Sequence, residues 1–164
     1  MTIIRNPLKI IAVDPGLSKT GIVILLGQKL LYKELITLNK DEWGRLRQIH
    51  ERIRKITEQF QPDYLAIENQ YLGFNAGVAI KLSALRGIIM GAYWGYNIKG
   101  EIVLVSPLEA KSAMGVNTKL KRDESKLAVR KMVELMYPEL KGEEEDIIDA
   151  ISIALGGFNK IFLE

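Results

Sequence analysis

The chain has 164 residues, a formal net charge of +3 and no cysteine, which excludes disulfides, thiol catalysis and cysteine-ligated zinc. Its length suits one domain, 1–164, with a substantial core, and no repeated, low-complexity or Pro/Gly-rich stretch divides it. No uninterrupted apolar run reaches the ~18 residues of a membrane helix and no signal-peptide pattern opens the chain, so a soluble, cytoplasmic protein without membrane association is expected.

Leu8–Asp14 and Thr20–Leu26 are dense in Ile, Val and Leu and read as strands. Gly27 and Gln28 turn the chain into a third strand, Lys29–Thr37, completing an antiparallel meander. Asp41 is suited to cap the following helix, in which Trp43, Leu46, Ile49, Ile53, Ile56 and Phe60 recur at helical spacing. His50, the single histidine, falls among charged residues there and reads as solvated, because metal or triad chemistry would need partners it lacks.

Pro62 and Asp63 end that helix and open a fourth strand, Tyr64–Glu68. The turn-forming stretch after it carries two aromatics, Tyr71 and Phe74. A long helix, Ala76–Tyr96, is apolar almost all round, with only Lys81 and Arg86 charged. Such a helix is either a central one buried on several sides or leaves apolar faces wet in a monomer, and the second reading predicts a homodimer through Ala76–Trp94. Glu101–Val105 is a fifth strand, and Ser106-Pro107 starts a short helix to about Met114 that carries Lys111. A basic loop, Gly115–Lys121, leads into an amphipathic helix, Asp123–Tyr137, and an acidic-fronted apolar helix closes the chain over Glu145–Phe158. This order predicts an α/β fold: a mixed five-stranded sheet, its first three strands antiparallel, flanked by helices.

Four acidic residues stand in apolar settings that surface carboxylates avoid. Asp14 closes the first strand and Glu68 the fourth, where burial is expensive unless positive charge offsets the lost hydration. Asp146 and Asp149, three residues apart, share one face of the last helix beside Ile147, Ile148 and Ile151. Two like charges about 4 Å apart cost roughly 4 kcal/mol at an effective dielectric near 20. A converging cluster therefore shares protons or binds divalent cations, and an all-oxygen set favours Mg²⁺ or Mn²⁺ over zinc. Two such ions clamp the attacking water and leaving oxygen of a phosphodiester. Pro15 and Gly16 would turn the backbone away so that metal and phosphate reach Asp14. A dipole role for Asp146 and a turn role for Asp14 explain each residue singly but not the four together.

These residues lie in motifs that resemble the RuvC-type Holliday junction resolvases. The resemblance rests on I-A-V-D-P-G-L-S-x-T-G (Ile11–Gly21), F-Q-P-D-Y-L-A-I-E (Phe60–Glu68), N-A-x-x-A-x-K-L-x-x-x-R-G (Asn75–Gly87) and D-x-x-D-A (Asp146–Ala150). It implies an RNase H-like fold, a homodimer, and Mg²⁺-dependent paired symmetric nicking of four-way DNA junctions in recombination and repair. It also implies two metal ions per site, 5′-phosphate products and a branch-migration helicase as partner.

By position, the resemblance makes Asp14, Glu68, Asp146 and Asp149 the metal ligands. Lys111 and Lys126 fall near lysines that the family uses around the scissile phosphate. Tyr71 falls at an aromatic that stacks on a junction base, and Phe74 and Lys81 are further DNA-binding candidates. The loop before Lys126 is longer than in typical bacterial members, so Lys119, Lys121 or Arg122 are alternative bearers of its charge.

Three other functions fit parts of the pattern. The segment D-P-G-L-S-K-T-G also resembles the phosphate-binding hairpin of sugar-kinase and actin-like ATPases, but those need two such domains. An RNase H-fold nuclease of broader branched-DNA, flap or RNA–DNA hybrid specificity shares the opening motif. A junction-binding protein without catalysis would not need the acidic quartet.

Overall fold

The computed structural model describes residues 7–69 and 75–163. Alternation along the first strand sets its layers. In β1 (Lys9–Asp14), Ile10 and Ala12 pack to one side while Ile11 and Val13 pack to the other, as the two-residue period of a strand dictates. With both faces covered, β1 lies at the centre of the sheet. It pairs antiparallel with β2 (Lys19–Leu26) and parallel with β4 (Tyr64–Glu68). Outside these lie β3 (Lys29–Thr37) and β5 (Glu101–Val105), giving the order β3-β2-β1-β4-β5. The expected mixed sheet, antiparallel over its first three strands, is present.

Helices α1 (Glu42–Phe60) and α2 (Ala76–Tyr96) cover the face carrying Ile11, Val13, Ile22, Ile24, Leu65 and Ile67. The opposite face is covered by α3 (Pro107–Ala113), α4 (Arg122–Met136) and α5 (Glu145–Leu163). Local chemistry fixes the helix ends. The Gly44 N–H donates to the Asp41 carboxylate at 2.6 Å, capping α1. Gln61 ends it in the left-handed region at φ 48°, just before Pro62, which cannot continue a helix. Ser106 and Glu109 close a reciprocal capping box on α3.

Helix α5 lies directly on the sheet because two adjacent glycines let it. A Cβ on Gly156 would come within 2.6 Å of Val105, and one on Gly157 within 2.9 Å of Ala66. The helix continues to Leu163, past the expected end at Phe158. Lys160 holds the extra turn: its ammonium donates to the Leu104 carbonyl at 2.9 Å and to Glu109 at 3.0 Å.

Helix α2 buries only the stripe Leu85, Ile89, Ala92 and Tyr93 against the sheet. Ile80 is 70% exposed, and Val78 and Trp94 are each 41% exposed. It is 21 residues long and contains an 18-residue window with a mean hydropathy of 1.3, enough by length and composition alone to cross a membrane. The expectation of no such segment held only for uninterrupted apolar runs, since Lys81 and Arg86 break the run without lowering the average far.

Candidate active site

The same alternation that builds the core aims the first two carboxylates. Ala12 and Ala66 face α5, so Asp14 and Glu68, two residues further along their strands, point to that side. Because β1 and β4 run parallel with Val13 opposite Ile67, both acids emerge at the same sheet edge. Helix α5 carries Asp146 in its first turn and Asp149 one turn later. Gly21, the partner of Asp14 across β1 and β2, is what lets α5 approach. A Cβ at Gly21 would overlap the backbone carbonyl of Asp146.

The carboxylates sense one another. Burial foremost, then the charges of Asp149, Glu68 and Asp146, push the Asp14 carboxyl up to about 8, opposed by Lys126. Burial also pushes Asp149 up to about 6, with Glu145 adding to the rise and Lys126 opposing it. Glu68 is raised by burial and pulled down by the Arg86 guanidinium. The four acids thus occupy one electrostatic neighbourhood. They do not close on a single point: among the described residues no three His, Cys, Asp or Glu side chains are grouped tightly enough to hold a metal ion as they stand. In chemistry the set nonetheless fits a hard divalent cation, being all oxygen, with the charges of Asp149, Glu68 and Asp146 adding to burial in raising Asp14.

Beside the acids opens a cleft of about 270 Å³. Glu68 and Asp149 form one part of its lining, and Lys111, Arg122 and Lys126 supply positive charge to the same space. Anionic and cationic groups therefore share one cavity, which suits a phosphate approached by metal from one side and ammonium groups from the other.

Of the other basic candidates, Lys81, Lys119 and Lys121 are exposed and lie outside the residues that line the cleft. The Lys121 backbone N–H instead donates to Glu124 at the start of α4, at 3.3 Å. Gly16 has a local role in the turn. Its missing side chain makes room for the Lys19 carbonyl, and its N–H and C=O both bond the Thr20 hydroxyl, so the glycine serves the turn itself. Tyr71 and Phe74 lie outside the described residues.

Three contributors escaped sequence reading. Arg86 carries one of two charges on an apolar helix, a signal that was visible but unassigned. Ser125 lines the cleft with its hydroxyl buried and without a partner. Glu145 merged into an acidic run, and only its contacts distinguish it.

The family model for crossover junction endodeoxyribonuclease RuvC matches residues 10–156. The chain belongs to the RuvC family. The crossover junction endodeoxyribonuclease RuvC of Brucella ovis is 30% identical over 158 residues, covering 92% of this chain and 87% of that protein. The RuvC of Xanthobacter autotrophicus is 27% identical over 158 residues, covering 92% and 89%. Among solved structures, T. thermophilus RuvC in complex with a Holliday junction substrate superposes with a TM-score of 0.81 at 20% identity, over 95% of this chain and 96% of that one. The fowlpox virus Holliday junction resolvase reaches 0.56 at 16% identity, over 93% and 99%. The five-stranded sheet is thus the RNase H-like sheet of the RuvC fold.

Proposed function

We infer that this RuvC-family chain is a metal-dependent endodeoxyribonuclease that resolves four-way DNA junctions. The observation that carries the reading is the acidic quartet gathered from β1, β4 and α5 beside a cleft lined by Lys111, Arg122 and Lys126. Asp14, Glu68, Asp146 and Asp149 would hold Mg²⁺, or Mn²⁺ in its place, with two ions per site. When bound, such ions lower the pKa of a water and neutralise charge developing on the phosphate.

The chain's own residues do the rest. Lys126 and Lys111, which line the same cleft as Glu68 and Asp149, meet the phosphate there and stabilise the charge that builds on its oxygens in the transition state. Arg122 offers a planar fork to a neighbouring phosphate. Lys81, Lys119 and Lys121, exposed and outside the cleft, are read as contacts to the DNA backbone beyond the cut. Tyr71 and Phe74, following Glu68 in sequence, are assigned to stacking on bases at the branch point, a contact worth about 1–3 kcal/mol per base. In-line attack by water leaves a 5′-phosphate and a 3′-hydroxyl. A homodimer through α2 supplies two sites for two symmetric nicks, and a branch-migration helicase would deliver the junction in recombination and repair.

The test is cleavage of a mobile four-way junction against flap, bubble, duplex and RNA–DNA hybrid competitors, with and without EDTA. Junction-selective, chelator-sensitive paired nicking is expected. Equal cutting of all substrates would leave an RNase H-fold nuclease of broader specificity.

A further inference from the structure

Lys126 does not stand free on the cleft wall. Its ammonium lies 3.7 Å from Oε1 of Glu145, the residue immediately before Asp146. Glu145 is itself held from behind. The Arg130 guanidinium donates to its Oε2 at 2.7 Å, to the Glu143 backbone carbonyl at 2.9 Å and to Glu134 at 3.4 Å. One arginine thereby ties α4, which carries Lys126, to the start of α5, which carries Asp146 and Asp149. Two more cations fasten the same acidic run from the sheet: Lys33 pairs with Glu143, and Lys19 with Glu144 at 3.3 Å. Singly such half-exposed pairs contribute little, but together they fix where α5 begins.

The two oxygens of Glu145 have different partners. Oε2 takes a short, charge-assisted bond from Arg130. Oε1 is shielded from water and accepts no hydrogen bond; the cation facing it is Lys126. Removing Lys126 would strand a buried carboxylate oxygen, which is costly, so the ammonium is retained beside Glu145. An ammonium has three donors. At 3.7 Å from Glu145 the ammonium forms an ion pair and spends no donor on it, so its donors remain for the cleft that Lys126 shares with Glu68 and Asp149.

We propose that Glu145, pinned by Arg130, is a positioning residue that holds the Lys126 ammonium over the cleft where the scissile phosphate enters. This rests on Lys126 being a contact to that phosphate. Glu145 itself touches no DNA. As an anion near a polyanion it opposes binding, while by fixing Lys126 it favours cutting, so removing its charge moves binding and turnover in opposite directions.

Glu145→Gln keeps an acceptor for Arg130 and presents no charge to Lys126. At saturating junction its cutting rate is expected to fall about tenfold or more, the scale of a misplaced catalytic group, while the Kd for junction stays level or tightens. A residue that merely braced the fold would weaken binding and turnover together. Arg130→Lys, which loses the fork but keeps the charge, should show a smaller fall of the same kind.

A double-mutant cycle decides the matter. In a Lys126→Met background, Glu145→Gln should leave the residual rate unchanged. Equal loss in both backgrounds would overturn the proposal, as would a Glu145→Gln protein that cuts at or above the wild-type rate. If Lys126→Met alone cuts at the wild-type rate, the assignment of Lys126 to the phosphate fails first and Glu145 loses its role with it. Thermal unfolding of each variant separates these outcomes from misfolding, and Arg130→Lys carries the same cycle should Glu145→Gln not fold.

Discussion

Asp14 ends a strand whose preceding residues are sealed from water, so its carboxyl bears the full consequence of burial. That burial and the neighbouring anions raise it from 3.8 to about 8, and Asp149 from 3.8 to about 6. A carboxyl whose folded pKa exceeds its unfolded value takes up a proton more readily in the native state. Its stabilising contribution is therefore complete below pH 3.8 and is lost as pH rises through about 6 for Asp149 and about 8 for Asp14. In EDTA the wild-type melting temperature should fall across this window. Asp14→Asn carries no charge to bury, so it should melt above wild type at about pH 8 and converge with it near pH 4. Adding Mg²⁺ should raise wild type more than the variant. Thermal unfolding over pH, with and without chelator, reads all three effects. An Asn variant less stable than wild type at about pH 8 in EDTA would remove burial as the source of the shift. Not every neighbour of Asp14 was readable in advance. Gly21 belonged to a visible motif, yet the reason for a glycine there is the carbonyl of Asp146, more than a hundred positions away in the chain.

At the scale of elements, the five strands and five α-helices among the described residues were legible, because period-2 and helical spacing report which face each segment buries. What the pattern missed were features set by distant partners. Asn159 and Lys160 look like the polar end of a helix, but Lys160 reaches β5 and α3 and carries α5 one turn further. Likewise, Lys119 and Lys121 share a basic loop with the residues before Lys126, and only the direction of that loop separates them from Lys111 and Arg122 at the cleft. The acidic quartet was legible because charge in an apolar run is conspicuous, whereas Glu145 was hidden among like neighbours. Helix α2 presents the clearest unspent surface: Ile80 and Trp94 lie outward while its inner stripe is packed. If that face joins two copies, Ile80→Glu places a charge in the interface without touching the core. Light scattering at micromolar protein should then report a dimer for wild type and a monomer for the variant. The monomer's own stability should change by no more than about 0.5 kcal/mol, as for an exposed substitution. A variant that remains dimeric would move the interface off this end of α2.

For the molecule as a whole, the question is how one active site per chain makes two cuts. Asp14, Glu68, Asp146 and Asp149 form one electrostatic cluster beside one cleft, so a single protomer offers one place for a scissile phosphate. A four-way junction has two-fold symmetry, and a closed two-fold dimer presents two equivalent sites to it. Dimers assembled from one wild-type protomer and one Asp14→Asn protomer separate the two cuts. The variant should still bind, because loss of an anion near DNA does not weaken electrostatic attraction, but it lacks one of the four carboxylates proposed to hold metal. Such mixed dimers should nick one strand and stop. Denaturing gels would show a cut strand while native gels show a junction still joined. Paired duplex products appearing at about half the wild-type rate would mean instead that one site visits both strands in turn, and the two-site account would fall. The expectation of a persistent, singly nicked junction rests on the proposed dimer: Asp14, Glu68, Asp146 and Asp149 come from β1, β4 and α5 of one chain, so each protomer of such a dimer brings one quartet and the Asp14→Asn protomer brings an incomplete one.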